Sequence, residues 1–260
     1  MSYNKFQSEC SAEVEIQGND PELVSTSSQW IEKAQSLKYS YHFEWLGRPI
    51  IQYPQDIVSM QQLIWSIQPD LIIETGIAHG GSLIFSASML ELNAICGGPQ
   101  DAEVVAVDID IRSHNREAIE AHPMFKRISM IQGSSVAPEI IEQVRAKTAN
   151  KQKILVFLDS NHTHDHVLAE LEAYAPLTSV DSYCVVFDTV IEDLPTEMFG
   201  DRPWGPGDNP KTAVWKYLES LKDSGQMAQD GKLLNFEIDK SIDHKLLISV
   251  APDGYLKRVL

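Results

Sequence analysis

The chain has 260 residues, of which 43% are hydrophobic and 22% are charged, and its mean hydropathy is -0.19. This length and composition are typical of one globular domain with an appendage, and no apolar run approaches the ~20 residues of a membrane span. The net charge of -16 argues against nucleic-acid binding, which depends on clustered Lys and Arg that neutralise phosphates.

The N-terminal segment is polar and weakly periodic, and we predict an arm or cap over residues 1–40. No apolar segment follows the lone lysine near the start, so no secretory signal is expected. The cysteines at positions 10, 96 and 184 are far apart and odd in number. This usage favours reduced thiols and a cytoplasmic location over disulfides or a zinc site.

From Pro54 onward the pattern becomes regular, and we predict one domain over residues 41–260. The segment PQDIVSMQQLIWSIQ begins with proline and carries apolar residues at helical spacing. Helical stretches then alternate with five apolar β-type runs, which are LIIE (71–74), VVAVD (104–108), ISMIQG (128–133), ILVFLD (154–159) and YCVVFD (183–188). Near-continuous apolar strands separated by helices predict a parallel sheet covered on both faces, which is a doubly wound α/β fold.

The C-terminal part is predicted to complete the sheet. After the loop PWGPGDNP and the helix KTAVWKYLESL come two β-type runs, LLNFEID and LLISVAP, with a turn around Ser241 to Asp243. This antiparallel hairpin brings the mostly parallel sheet to seven strands. The arrangement resembles the Rossmann-like fold of class I S-adenosylmethionine-dependent methyltransferases.

Four of the five parallel strands end in an acid, namely Glu74, Asp108, Asp159 and Asp188. In open α/β sheets ligands bind beyond the carboxyl ends of the strands, so these acids are candidates for a binding site. Asp and Glu also cap the helices that follow strands, and this structural alternative stays open for each of them.

The stretch ETGIAHGGS combines the first acid with three glycines, which allow positive φ and close approach of a ligand to the next helix end. A dinucleotide loop does not fit, because Glu74 would repel a pyrophosphate. The stretch resembles the first motif of methyltransferases, whose ligand carries an ammonium and a sulfonium. A valine at Gly76 is expected to block that ligand while leaving the fold largely intact. The resemblance implies S-adenosylmethionine binding by Glu74, Thr75, Gly76, His79, Gly80, Gly81 and Ser82.

Two later strand ends extend this predicted cofactor site. Asp108 can accept both hydroxyls of an adenosine ribose. Ser134 falls where methyltransferases contact the adenine, with capping of the next helix as the alternative.

The stretch FLDSNHTHDHV places Asp159 before His162, His164 and His166. Alternate spacing on a loop does not by itself indicate a three-histidine zinc site. The stretch is similar to metal-dependent O-methyltransferases, which place a ligand Asp at this strand end and a general base three residues later. The resemblance implies that Asp159 binds a metal beside the cofactor and that His162 is the catalytic base.

The same resemblance implies that Asp188, at the fifth strand end, is the second ligand of Mg2+ or another divalent cation. The next residue is Thr189, where those enzymes have Asp or Asn. Glu192 and Asp193 are therefore considered as supplementary ligands. Mg2+ keeps several waters, so two protein carboxylates can suffice.

Over roughly residues 40 to 255, from YHFEWLGRPIIQYPQD through PWGPGDNPKTAVW, the chain resembles the family of cephalosporin hydroxylase and rhamnosyl O-methyltransferase. The resemblance implies methylation of a hydroxyl on a sugar, glycoside or other small metabolite. We also expect a homo-oligomer, in which the aromatic-rich YSYHFEWLG packs across a partner. The PWGPGDNP loop is interpreted as a lid or a plain crossover, and Trp204 as a platform for a sugar ring or an anchor of the loop.

Two other functions stay open at this point. One is an iron-dependent hydroxylase that uses His162 or His164 with Asp159. The other is a non-catalytic ligand-binding protein, in which Glu74, Asp108 and Asp159 would not converge on one pocket.

Overall fold

The computed structural model describes residues 2–222 and 224–259. Within these ranges, helices cover both faces of a seven-stranded sheet, and two helices and a small hairpin precede it. The helices are α1 (Tyr3–Gly18), α2 (Pro21–Ser36), α3 (Pro54–Ile67), α4 (Gly81–Ile95), α5 (Ser113–Glu120), α6 (Pro138–Lys147), α7 (His164–Tyr174), α8 (Pro210–Leu221) and α9 (Lys240–Leu246). The strands are β1 (Phe43–Trp45), β2 (Arg48–Ile50), β3 (Leu71–Thr75), β4 (Glu103–Asp108), β5 (Ile128–Gln132), β6 (Ile154–Leu158), β7 (Tyr183–Val186), β8 (Asn235–Ile238) and β9 (Tyr255–Val259). None of the described helices is long and apolar enough to cross a bilayer.

The sheet has the strand order β5-β4-β3-β6-β7-β9-β8. Strands β3 to β7 run parallel, whereas β9 pairs antiparallel with both β7 and β8. The chain adds strands on one side of β3 as far as β5 and then returns to the other side with β6. A ligand crevice forms at such a reversal, beyond the carboxyl ends of the strands. The predicted doubly wound, seven-stranded fold is therefore confirmed.

Side chains along the central strands alternate between two cores. Ile72 faces the core that includes helices α3 and α4, whereas Ile73 faces the core that includes α7 and α8. All five residues of β3 are buried, as expected for a strand covered on both faces. The register sets Thr75 opposite Val107 and Leu158, so the ends of β3, β4 and β6 lie at one edge.

The prediction that LLISVAP forms the second strand of the C-terminal pair is wrong, because that strand lies later in the chain, at β9. The segment LLISVAP (246–252) lies outside the sheet because the buried Asp56 carboxylate accepts hydrogen bonds from Ser249 Oγ at 2.6 Å and Val250 N at 2.9 Å. Burial raises the pKa of Asp56 to about 6. The predicted turn around Ser241 lies in helix α9, whose N-cap is Asp239. The antiparallel partner of β8 is β9, later in the chain.

The N-terminal arm consists of helices α1 and α2, which pack against the domain. Helix α2 begins with Asp20 as its N-cap and proline at its first turn. Trp30 of α2 packs edge-on against Tyr39 and Tyr53, with ring centroids 5.0 and 6.1 Å apart. Gln17 of α1 donates to the carbonyl of His244 at 2.7 Å. Both helices of the arm therefore contact the domain.

Candidate active site

A tight turn between β3 and α4 forms the glycine-rich loop. Gly76 and Gly80 have φ of 92° and 83°, which side-chain-bearing residues rarely adopt. Gly76 donates its backbone N–H to the carbonyl of Val107 at 2.8 Å, and a Cβ at Gly76 would overlap the backbone carbonyl of Asp159. The expectation that valine at Gly76 leaves the fold intact is wrong, because its side chain would press on the backbone at the end of β6.

Arg48 of β2 fixes this loop from the other side. Its Nε and Nη2 donate to the carbonyl oxygen of His79 at 2.9 and 2.6 Å, and Nη2 also donates to Asn115 Oδ1 at 3.0 Å. Asn115 in turn donates to the carbonyl of Ala78 at 2.8 Å. Arg48 was not predicted as a site residue, since nothing in the GRPI segment shows which loop its guanidinium would reach.

The acids of β3 and β4 lie beneath the loop. Glu74 is 2% exposed and accepts from Ser86 Oγ at 3.4 Å. Burial raises the pKa of Glu74 to about 7, against hydrogen bonds from Ser82 and Ser86 that lower it. Asp108 Oδ2 accepts the backbone N–H of Ile77 at 2.8 Å. Ala78 and Asp110 also donate their backbone N–H groups to this carboxylate, at 3.3 and 3.0 Å. A carboxylate offers about four acceptor sites, so about one remains for a ribose hydroxyl.

A small cleft of about 40 Å³ opens between the loop and the end of β6. Of the predicted cofactor residues, it brings together Gly76, His79, Gly81, Ser82 and Asp159. Thr75 is instead fully buried in the strand. Helix α4 has no side-chain cap, so the amides of its first turn are available to an anionic ligand group.

Ser134 follows the end of β5 and does not line this cleft. Helix α6 begins at Pro138, with Ala137 as its N-cap and no side-chain cap. The capping alternative for Ser134 is therefore wrong, and contact with adenine stays a prediction.

Asp159, His162 and Asp188 form one acid–histidine cluster from the ends of β6 and β7. Each residue offers a ligand atom within 4.8 Å of the others, and His162 Nε2 lies 3.4 Å from Asp188 Oδ2. Burial raises the pKa of Asp159 well above its usual value, and the negative charge of Asp188 adds to that shift. A bound cation would relieve the repulsion between these carboxylates.

Gln52, which precedes α3, orients this cluster and was not predicted as a site residue. Its Nε2 donates to Asp159 Oδ2 at 3.2 Å, and the residue is 3% exposed. Its buried Oε1 has no partner among the described residues. The stretch QYPQD indicated only a helix start, because a contact across 107 residues leaves no local pattern.

The other two histidines of the FLDSNHTHDHV stretch point elsewhere. His164 Nδ1 lies 2.8 Å from Thr212 Oγ1, and His166 Nε2 lies 3.1 Å from Ser135 Oγ. In the described part of the chain, only His162 belongs to the cluster. The described residues therefore provide no three-histidine zinc site. Of the two histidines considered for iron, only His162 lies beside Asp159, so two histidines and one carboxylate do not come together there.

The residues considered as supplementary metal ligands have other partners. Thr189 is buried and donates to the carbonyl of Pro252 at 2.6 Å. Glu192 accepts from the backbone N–H of Gly207 at 2.7 Å, and Asp193 forms an ion pair with Lys211. The suggestion that Glu192 and Asp193 supplement the metal site is wrong, since their carboxylates bind the following loop and helix α8.

A larger cavity of about 320 Å³ contains the acid–histidine cluster and shares Ala78 and Asp159 with the small cleft. Trp204 of the PWGPGDNP loop lines it and packs edge-on against His162, with ring centroids 4.9 Å apart. The buried indole N–H of Trp204 has no hydrogen-bond partner among the described residues. The N-terminal arm contributes Gln35 and Lys38 to the same wall.

The cluster and cleft fit the two predicted ligands chemically. Carboxylate oxygens are the ligands that Mg2+ prefers, and an added imidazole also suits transition metals. The cleft offers uncapped helix amides for a carboxylate, and Asp108 offers acceptor sites for hydroxyls. The two sites are continuous, so a cofactor in the cleft would face an acceptor in the larger cavity.

Comparisons with known proteins agree with this architecture. The family model described as Rhamnosyl O-methyltransferase/CmcI matches residues 37–259. A rhamnosyl O-methyltransferase of Mycobacterium tuberculosis (strain H37Rv) is 30% identical over 207 residues, covering 78% of this chain and 73% of the relative. The one from Mycobacterium leprae is 32% identical over 162 residues, covering 62% and 66%.

Solved structures show the same fold. A CmcI structure with Mg and SAM aligns with a TM-score of 0.55 at 17% identity, covering 85% of this chain and 78% of that one. An apo-structure of CmcI aligns with a TM-score of 0.53 at 17% identity, with coverages of 85% and 77%.

Proposed function

The chain belongs to the Rhamnosyl O-methyltransferase/CmcI family and is an S-adenosylmethionine-dependent O-methyltransferase, and we propose that it methylates a sugar hydroxyl beside a divalent cation. The observation that carries the proposal is the convergence of Asp159, His162 and Asp188 in a cavity that adjoins the glycine-rich loop. An acceptor and a cofactor need this proximity, because methyl transfer requires the two reacting groups to be held together.

The proposed cofactor site is the small cleft with the loop above it. Gly76 and Gly81 allow the close backbone packing that forms the walls of the cleft, and His79 and Ser82 flank it. Gly80 supports the turn of the loop through its positive φ. Asp108 accepts from the ribose, Ser134 contacts the adenine, and the buried Glu74 and Thr75 support the loop from below. When bound, S-adenosylmethionine supplies an electrophilic methyl group, and a divalent cation such as Mg2+ polarises the acceptor hydroxyl.

The chain's own residues then have distinct tasks. Asp159 and Asp188 would hold the cation, and Gln52 keeps the Asp159 carboxylate in place through its amide. His162 Nε2 accepts the acceptor's hydroxyl proton. The neighbouring Asp188 carboxylate stabilises the imidazolium that results. The structure also allows His162 to be a third metal ligand, and loss of metal affinity in a His162 variant would favour that role.

The sugar acceptor is supported by the cavity and by the relatives. The cavity volume of about 320 Å³ lies at the lower end of the range for small-molecule sites. The unpartnered indole N–H of Trp204 can donate to a sugar oxygen, and leaving such a buried donor unpaired is unfavourable. The relatives reported above are rhamnosyl O-methyltransferases by name.

We assign residues 1–40 to an arm that closes one wall of this cavity and residues 41–260 to the catalytic domain. A homo-oligomer stays a prediction that light scattering can test. The aromatic-rich segment gives it little support, because Tyr39 and Phe43 pack against each other within the chain at 5.0 Å.

Calorimetry with S-adenosylhomocysteine tests the cofactor site. The wild type should bind, and Asp108→Ala should weaken binding about 30-fold through the loss of a ribose hydrogen bond to a charged carboxylate. Asp110→Ala removes an exposed carboxylate two residues away and should bind normally. Asp108→Asn, which can still accept from Ile77, separates loss of the loop contact from loss of ribose binding. Unchanged affinity in folded Asp108→Ala would refute the assignment of the cofactor site.

A separate experiment tests methyl transfer to a sugar. Mass spectrometry of a rhamnoside incubated with the protein and S-adenosylmethionine should detect the methylated product.

A further inference from the structure

Two cations line the larger cavity without any acidic partner. Its charged lining residues are Lys38, Arg202 and the acid–histidine cluster. Neither Lys38 nor Arg202 forms an ion pair with a carboxylate in the part of the chain that the structure describes. Both residues are exposed and line the cavity, so their charged groups are free to contact a ligand that enters it.

The backbone holds Lys38 firmly at the cavity wall. Lys38 has left-handed dihedrals (φ 55°, ψ 43°) at the end of helix α2, where its N–H donates to the carbonyl of Gln35 at 2.9 Å. Its own carbonyl accepts from Tyr41 N at 2.9 Å. The ring contacts between Trp30 and Tyr39 attach this bend to the domain. The N-terminal arm therefore fixes the backbone of Lys38, and the ammonium of this exposed residue has no hydrogen-bond partner among the described residues.

Arg202 is oriented by the neighbouring indole. Its guanidinium carbon lies 5.5 Å from the centroid of the Trp204 ring, and its backbone N–H donates to the carbonyl of Phe199 at 3.0 Å. Stacking of this kind leaves the edge of the guanidinium available. That edge matches the two oxygens of a carboxylate or phosphate.

The charges of the cavity then favour an anion. When both are ionised, Asp159 and Asp188 carry two negative charges, and Lys38 and Arg202 carry two positive ones. Neither cation pairs with either carboxylate, so they do not act as local counter-ions of the cluster. Once a divalent cation neutralises the two carboxylates, the cavity has a net positive charge.

We propose that the acceptor is an anionic sugar, whose carboxylate or phosphate is bound by Lys38 and Arg202 while a hydroxyl reaches the acid–histidine cluster. This inference rests on the proposed function, because it assigns the larger cavity to the acceptor. It makes the N-terminal arm part of the specificity site.

Calorimetry on the full chain with Mg2+ and S-adenosylhomocysteine tests the proposal, using methyl β-D-glucuronide, glucose 6-phosphate and the neutral methyl β-D-glucoside. The wild type should bind at least one anionic sugar about 10-fold or more tightly than the glucoside, since charge-assisted hydrogen bonds are the stronger ones. The preference should fall with added salt. Which anionic sugar binds more tightly distinguishes a carboxylate from a phosphate.

Variants identify the residues responsible. The double variant Lys38→Met with Arg202→Gln should lose the preference, and the pair Lys38→Arg with Arg202→Lys should keep it. Lys33→Met, which removes an exposed lysine of α2 outside the cavity, is the matched control. No preference in the wild type, no binding of either anionic sugar, or a preference that persists in the double variant would overturn the proposal. Failure of S-adenosylhomocysteine to bind would instead refute the proposed function, so the two failures are distinguishable.

Discussion

The acids at the ends of β3 and β4 differ from those at the ends of β6 and β7 in what they face. Glu74 and Asp108 lie under the glycine-rich loop, where serine hydroxyls and backbone N–H groups already bind them. Asp159 and Asp188 line an open cavity beside His162. The same position in the fold therefore supports two tasks. The first pair mainly shapes the loop from within, with one acceptor site of Asp108 proposed for the ribose, whereas the second pair faces the cavity.

The largest expected effect is on turnover, when one of the carboxylates that face the cavity is removed. Asp188→Asn should lower turnover about 1,000-fold, because several kcal/mol of metal-assisted stabilisation disappear, while affinity for S-adenosylhomocysteine changes little. Asparagine tolerates the left-handed conformation of Asp188 (φ 54°). Asp181→Asn is the matched control, since Asp181 has a φ of 62° and precedes the other end of β7.

Chelation provides an independent test of the same site. EDTA should inhibit the wild type and added Mg2+ should restore it, since a cation held mainly by two carboxylates and water is readily removed. Full activity in EDTA together with inactivity of a His162 variant would contradict the metal assignment and leave an acid–base methyltransferase.

A buried acid beneath the loop should act on stability instead of turnover. Burial raises the pKa of Glu74 from 4.5 to about 7, so the folded state binds a proton more tightly than the unfolded state. Protonated Glu74 therefore adds about 3 kcal/mol to the free energy of unfolding. This contribution is fully present below pH 4.5 and is lost as the pH rises through 7. Urea unfolding of Glu74→Gln across this range should show a flatter pH dependence than the wild type. The exposed Glu44→Gln should follow the wild type, and an identical slope in both variants would contradict this role.

His162 could serve the cavity-facing acids in two ways. We propose it as the general base, and its position in the acid–histidine cluster also makes it a candidate metal ligand. His162→Gln should lower the rate roughly 100-fold with the Mg2+ requirement unchanged, as expected for a lost general base. A rightward shift of the Mg2+ titration would identify it as a ligand instead. His164→Gln, whose imidazole contacts Thr212 outside the cavity, serves as the control.

The smallest expected effect is on Mg2+ affinity, when the side chain that positions the Asp159 carboxylate is removed. Gln52→Ala removes the amide that holds Asp159 and should weaken Mg2+ binding about 10-fold, at the lower end for residues that orient metal ligands. Gln61→Ala on the following helix should behave like the wild type. An unchanged Mg2+ titration in Gln52→Ala would show that Asp159 is positioned by its backbone alone.

The sequence by itself determined the alternation of apolar strands with helices and the acids that end them. These features are local, because a strand buried on both faces must be apolar throughout and its last residues reach the sheet edge. The glycine-rich loop was likewise readable from its own residues. Family likeness added the cofactor, the metal and the sugar, none of which follows from periodicity.

Only the tertiary structure decided which acids face a ligand and which are enclosed. Gln52 reaches Asp159 across 107 residues, and Asp56 draws the 249–250 backbone out of the sheet across more than 190. The bend at Lys38 enters the cavity because aromatic rings attach helix α2 to the domain. Contacts of this kind depend on how the faces of distant elements pack, and packing partners leave no periodic signal in either segment.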